Sequence, residues 1–228
     1  MGILSMVGWL ALTGCGTETG NPEAEASLLY NARSKVPEVI SLEPDSAGTS
    51  VSSVWLRLEA VTLSANCDAD DDDAFAFDPL GLADHAGKEA VVQDVLVPND
   101  VYCGLTTALI PGEDGPGRTA GASVVVEGLL TDGRAFAVVL DDTFDLTLDL
   151  DAEAPPEEGG WLLSFDVGTW IEPSELIGLQ GDPVVVSSNE NADVLAAISA
   201  RIADGVQLHH DVNANGLIEA EEPRLDLP

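Results

Sequence analysis

Positive charge is what this 228-residue chain most lacks: eight Lys and Arg stand against 41 Asp and Glu, a formal net charge of −33. With no basic stripe, it repels phosphate backbones, which excludes nucleic acid as a partner. Anionic lipid headgroups are excluded as electrostatic partners for the same reason. Cations are the natural counterparts, and a solvated acidic surface accounts for most of the charge. Cysteine is also scarce, with three in all and no Cys-x-x-Cys. That argues against a zinc or thiol-redox site. Long apolar runs are missing too. The longest N-terminal stretch, Ile3 to Leu12, falls well short of the roughly 20 residues that span a bilayer. There is no G-x-S-x-G, no H-E-x-x-H, no nucleophile–base pair and no internal repeat. These gaps point away from an enzyme. The acids are too numerous to single out a catalytic carboxylate pair, so a carbohydrate-active enzyme stays as a rival class.

What is present begins with 45% hydrophobic residues, enough to bury a core and too many for a disordered acidic polymer. The N-terminal run ends in Leu12-Thr13-Gly14-Cys15. This resembles the lipobox of bacterial lipoproteins. The resemblance implies cleavage before Cys15 and acylation of Cys15, giving a membrane partner through a lipid anchor. The run departs from the pattern in carrying no Lys or Arg ahead of it. Gly16, rather than Asp, implies the outer membrane of a diderm envelope. The stretch "CGTETGNP" looks like the start of many myxobacterial-type lipoproteins. Residues 1–14 therefore read as a signal peptide and 15–27 as a polar tether. Export would put Cys67 and Cys103 in an oxidising compartment, where they form a disulfide or remain two inert thiols.

Residues 28–172 read as strands. "TFDLTLDLD" sets Phe144, Leu146, Leu148 and Leu150 on one face and Asp145, Thr147, Asp149 and Asp151 on the other. In "SVWLRLEAVTL" the apolar phase flips near Ala60, which predicts a bulge. Thr131-Asp132-Gly133 between two apolar runs predicts a hairpin. "VVQDVLV", "VYCGLTTAL" and "WLLSFDVGTWI" complete about seven strands. The fold expected is mainly β, an antiparallel β-sandwich of Ig-like or transthyretin-like shape. "VWLRLEAVTL", "LVPNDVYCGLTTAL" and "WLLSFDVGTWI" resemble a family of sandwich domains found in bacterial lipoproteins. Residues 173–190 read as a linker.

Residues 191–228 read as a helix followed by a loop. Val194, Ile198, Ile202 and Val206 recur every four residues, with Asn189 or Asn191 as the cap. His209 and His210 would then end that helix. "DVNANGLIEAEE" follows and fits D-x-[DN]-x-[DN]-G-x5-E at every specified position. It resembles an EF-hand loop. The resemblance implies Ca2+ held by Asp211, Asn213, Asn215, the Leu217 carbonyl, Glu219 through water and Glu222 with two oxygens. Pro223 disfavours an exiting helix, so the loop is closer to the abbreviated dockerin-like form. The rival is an acidic turn that holds no metal.

Two further clusters stand out in the sequence. Asp68 with Asp70 to Asp73 is a solvated loop or an accessory cation site. "GEDGPGRT", Gly112 to Thr119, imitates a phosphate loop, but a strand pattern follows it and its own acids oppose phosphate. His85 falls in a loop with no partner in view. Taken together, the sequence predicts an envelope-anchored binding, adhesion or structural module whose ligand is an unidentified protein or carbohydrate.

Overall fold

The computed structural model describes residues 23–31, 40–41, 48–65, 73–86, 91–98, 101–152, 160–213, 215 and 223–226. Strand takes 48% and helix 16%, so the fold is mainly β. The strands are β1 (Glu23–Asn31), β2 (Ile40–Ser41), β3 (Ser50–Leu58), β4 (Thr62–Ala65), β5 (Asp73–Ala76), β6 (Gly81–Asp84), β7 (Val91–Pro98), β8 (Tyr102–Leu109), β9 (Val124–Leu129), β10 (Ala135–Leu140), β11 (Phe144–Ala152) and β12 (Gly160–Phe165). Then come α1 (Val167–Trp170), α2 (Pro173–Ile177), β13 (Val184–Val186), α3 (Ala192–Ser199) and β14 (Val206–Asp211).

These strands form two sheets. The smaller runs β14-β12-β1-β7, and the larger runs β13-β10-β9-β3-β8-β4-β5, with β11 on β8 and β2 and β6 on β3. One apolar core joins them. Tyr30, Phe165 and Leu208 come from the small sheet, and Leu56, Leu105 and Val126 from the large one. Tyr102 meets Trp161 edge to face across the divide, ring centroids 5.7 Å apart.

Local sequence explains the best-defined elements. In β11, Leu146, Leu148 and Leu150 are buried while Asp145, Thr147 and Asp149 are exposed, as the alternation requires. Each such leucine contributes about 1.5–3 kcal/mol on burial. The Asp-Gly turn joins β9 to β10, with Gly133 at φ 86°, where a side chain would strain. The expected bulge near Ala60 separates β3 from β4. Leu58 faces Leu109 and Thr62 faces Thr106, so four residue steps oppose three.

Several expectations are corrected. The sheets are mixed, because β1 runs parallel to β12 and β10 parallel to β13. Residues 23–27, expected in the tether, already belong to β1 and pair with β7. Residues 173–190 are not a linker: they hold α2 and β13, which extends the large sheet. The strand expected through Ile171 stops at Phe165. Asp166 there accepts the Gly168 N–H and caps α1.

The long C-terminal helix is the largest correction. α3 ends at Ser199, and Val206 to Asp211 is a strand on β12. The four-residue spacing marked core positions correctly, since Ile198, Ile202 and Val206 are buried, but it spans two element types. The helix stops before Gly205, with Ala200 as its C-cap. Gly205 closes a short 3-10 turn, Ala203–Gly205, and a Cβ there would run into the Trp170 indole and the Asp166 carbonyl. Asn191 does stand at the N-cap of α3, yet its amide donates to the Val185 carbonyl (2.6 Å) instead of capping.

Candidate metal loop

Asp211 is the last residue of β14, and its side chain is completely buried. One carboxylate oxygen, Oδ1, accepts the Asn215 N–H at 3.1 Å. Asn213 Oδ1 accepts the same N–H at 3.0 Å. Three residues that the EF-hand pattern names are therefore tied together by one turn. Leu217, Glu219 and Glu222 lie outside the described residues, as do Cys15 and Cys67. A strand leads into this turn, not the helix that the sequence predicts.

The chain reappears at Pro223 and runs back along β14. His210 N–H donates to the Pro223 carbonyl (3.0 Å), and Leu225 N–H donates to the Leu208 carbonyl (2.8 Å). Isolated bridges join His209 to Arg224 and Leu150 of β11 to Asp226. Residues 211–222 are thus bracketed at a neck, and an extended return takes the place of an exiting helix. The restriction that Pro223 puts on its predecessor agrees with that return.

Asp226 anchors the return and was missed in the sequence. It is 4% exposed, accepts the Leu208 N–H at 2.9 Å, and pairs with the Arg224 guanidinium at 3.0 Å. The hydrogen bond to Asp226 raises the Arg224 pKa. The only signal in the sequence was the brief polar–apolar alternation of Arg224-Leu225-Asp226, too short to separate from a tail. His209 and His210 belong to β14 and end no helix. His209 is largely buried, and that burial lowers its pKa.

Among the described residues, no group of three His, Cys, Asp or Glu side chains is placed to hold a metal. The oxygen donors that are described fit a hard cation such as calcium: the Asp211 carboxylate and the Asn213 and Asn215 amides.

Elsewhere, Cys103 is disulfide-bonded. Ala65 of β4 faces Tyr102 of β8, which brings the chain leading to Cys67 beside Cys103. The Asp68–Asp72 cluster lies outside the described residues, and Asp73 opens β5. The Gly112–Thr119 segment is a loop closing in one 3-10 turn, Gly117–Thr119, and strand β9 follows it where a phosphate loop needs a long helix. His85 lies in the turn after β6, a loop position as expected, and is 1% exposed, packed in the core. Its ring lies 6.2 Å from Tyr30 and 6.0 Å from Phe165. Burial lowers its pKa to about 4. Comparisons of the chain with protein-family models, curated proteins and solved structures find no match.

Proposed function

We propose that the chain is a lipid-anchored protein of the bacterial envelope, placed at an outer membrane, whose C-terminal loop binds Ca2+. The observation that carries the metal reading is the neck. The His210–Pro223 hydrogen bond brackets a twelve-residue stretch that starts at the buried Asp211 and matches the calcium pattern throughout. Asp211, Asn213 and Asn215 would supply side-chain oxygens, Leu217 its carbonyl, Glu219 a water-mediated contact and Glu222 a bidentate carboxylate. The ion would add to the Asn215 N–H that already meets the Asp211 carboxylate. It would also hold the 223–226 return against the sheets, a structural role and not a sensor's. A single loop of this kind binds at about 10⁻⁴–10⁻³ M, suited to an extracellular setting.

Lipid anchoring rests on Leu12-Thr13-Gly14-Cys15. No helix among the described residues is long and apolar enough to cross a membrane. The disulfide at Cys103, for which Cys67 would be the partner, agrees with export. The function that follows is binding, adhesion or structural support, without catalysis.

Calorimetric titration with calcium tests the metal. Heat of binding should appear for the full chain, and Glu222→Gln should weaken affinity at least about tenfold, because a bidentate carboxylate becomes one neutral oxygen. No heat from the unaltered chain would leave an envelope protein without a metal. For the anchor, Cys15→Ser should move the protein out of the membrane fraction; continued membrane association contradicts the lipobox.

A further inference from the structure

Bases are so few in this chain that each described arginine can be asked what it does. Arg57 reaches Asp114, Arg134 holds Asp132 and the carbonyls of Ile177 and Leu179, Arg201 joins Glu172 and Glu175, and Arg224 holds Asp226. Each of these four braces a loop, a helix end or the C-terminal return. Arg118 is different. Its side chain is 44% exposed, and so in large part is its partner Glu127 at 38%, with Nη1 to Oε1 at 3.0 Å. The pair opens onto a groove of about 360 Å³.

The floor of that groove is Trp55 of β3 beside Val125 of β9, which face each other in register. The other described tryptophans, Trp161 and Trp170, are buried in the core. Trp55 alone is left half-open, on the sheet face away from the core. Glu127 follows on the same face of β9. Its other oxygen accepts the Ser53 hydroxyl at 3.4 Å. The rim is the Gly112–Thr119 loop that imitates a phosphate loop in sequence. It is held in place from below. Arg57, nearly buried, binds Asp114 at 2.7 Å, Thr119 Oγ1 donates to the Pro116 carbonyl at 2.7 Å, and Gly121 N–H donates to the Gly112 carbonyl at 2.7 Å. Pro116 and Gly117 complete the wall, and Gly117, at φ 58°, leaves open space where a side chain would stand.

We propose that this groove binds a neutral saccharide. Its volume lies within the range of about 300–1,000 Å³ typical of small-molecule sites, and it offers one aromatic platform with a few placed polar groups. A sugar ring has an apolar C–H face that stacks on Trp55. Its hydroxyl rim can donate to Glu127 and accept from Arg118. The ion pair cancels its own charge, so the site calls for no net charge on the ligand. An anion would enter against the −33 field of the chain, and a cation would have to displace Arg118 from Glu127. The groove lies on the large sheet and uses no residue of the C-terminal loop, so it goes beyond the calcium reading and does not depend on it.

The test uses the full chain, in chelator, on immobilised neutral polysaccharides: an α-glucan, a β-glucan, a mannan, a xylan and a galactan. Retention is expected on at least one, at low and high salt alike, and the matching oligosaccharide should change the tryptophan fluorescence. Trp55→Ala should weaken binding by about tenfold or more, and Trp55→Phe by less. Glu127→Gln and Arg118→Ala are surface changes that leave the fold intact, and each should also weaken binding severalfold. These two keep the test decisive should Trp55→Ala not fold. The proposal is overturned by no retention on any of the five. It is equally overturned by retention that Glu127→Gln and Arg118→Ala leave unchanged, or by retention that appears only when calcium is restored.

Discussion

The acids of β11 and those at the C-terminal neck, Asp211 of β14 and Asp226 of the return, behave oppositely, although a bridge joins β11 to the return at Leu150 and Asp226. Asp145 and Asp149 stand in water on the outer face of β11. Asp211 and Asp226 are 0% and 4% exposed. Taking a carboxylate out of water costs several kcal/mol unless hydrogen bonds or a cation offset it. Asp226 is offset by the Leu208 N–H and Arg224, and Asp211 takes the Asn215 N–H. A net charge of −33 therefore conceals two populations. The exposed acids are solvated and interchangeable. The buried ones are tied to particular backbone groups, and those are the ones that locate a site.

Substitution separates the two populations. Asp226→Ala should cost about 3 kcal/mol, since it leaves the buried Leu208 N–H without its acceptor and Arg224 without its partner. Urea unfolding measures this, and a loss below about 1 kcal/mol would mean that the return is not anchored as described. A buried base extends the contrast. His85 has its pKa lowered to about 4, against 6.5 when exposed, chiefly by burial. The unfolded chain therefore takes up a proton before the folded one does. Stability is full above pH 6.5 and is lost as pH falls toward 4. Between pH 8 and pH 5 the loss from this one group comes to about 2 kcal/mol. Comparing unfolding of the wild type and His85→Phe at both pH values isolates that slope, which should disappear in the variant. The smallest effect belongs to β11. Asp149→Asn should change stability by less than about 0.5 kcal/mol, and a larger change would merge the two populations.

How much of this was legible in the sequence depended on how far apart the partners lie. β11 was readable from its own nine residues, because one strand records which side of it is wet. The Asp-Gly hairpin and the bulge near Ala60 were equally local. The end of α3 at Ser199 was not. Val194 to Val206 keeps a helical spacing, but Val206 onward pairs with β12, a partner distant in the chain, and the Trp170 ring fills the place of a side chain at Gly205. The parallel pairings β1–β12 and β10–β13 are similarly long-range. At the candidate metal loop the pattern of ligand types could be read, including the effect of Pro223. The return that brackets it could not, since it needs β14 as a template and Asp226 gains meaning only from the Leu208 N–H. The Trp55 groove was hidden for the same reason: Trp55, Arg118 and Glu127 meet only once β3, β9 and the loop have packed.

Thermal melting of the full chain, in about 10 mM calcium and in chelator, tests the central claim most directly. Calcium at about ten to a hundred times the dissociation constant adds roughly 1.4–2.7 kcal/mol to the folded state. For a chain of this size that is a rise of roughly 3–8 °C. Asp211→Asn keeps an oxygen for the Asn215 N–H while removing the charge, so it should melt at the same temperature with and without calcium. A wild-type curve that calcium does not move, or a calcium shift of equal size in Asp211→Asn, would contradict the account.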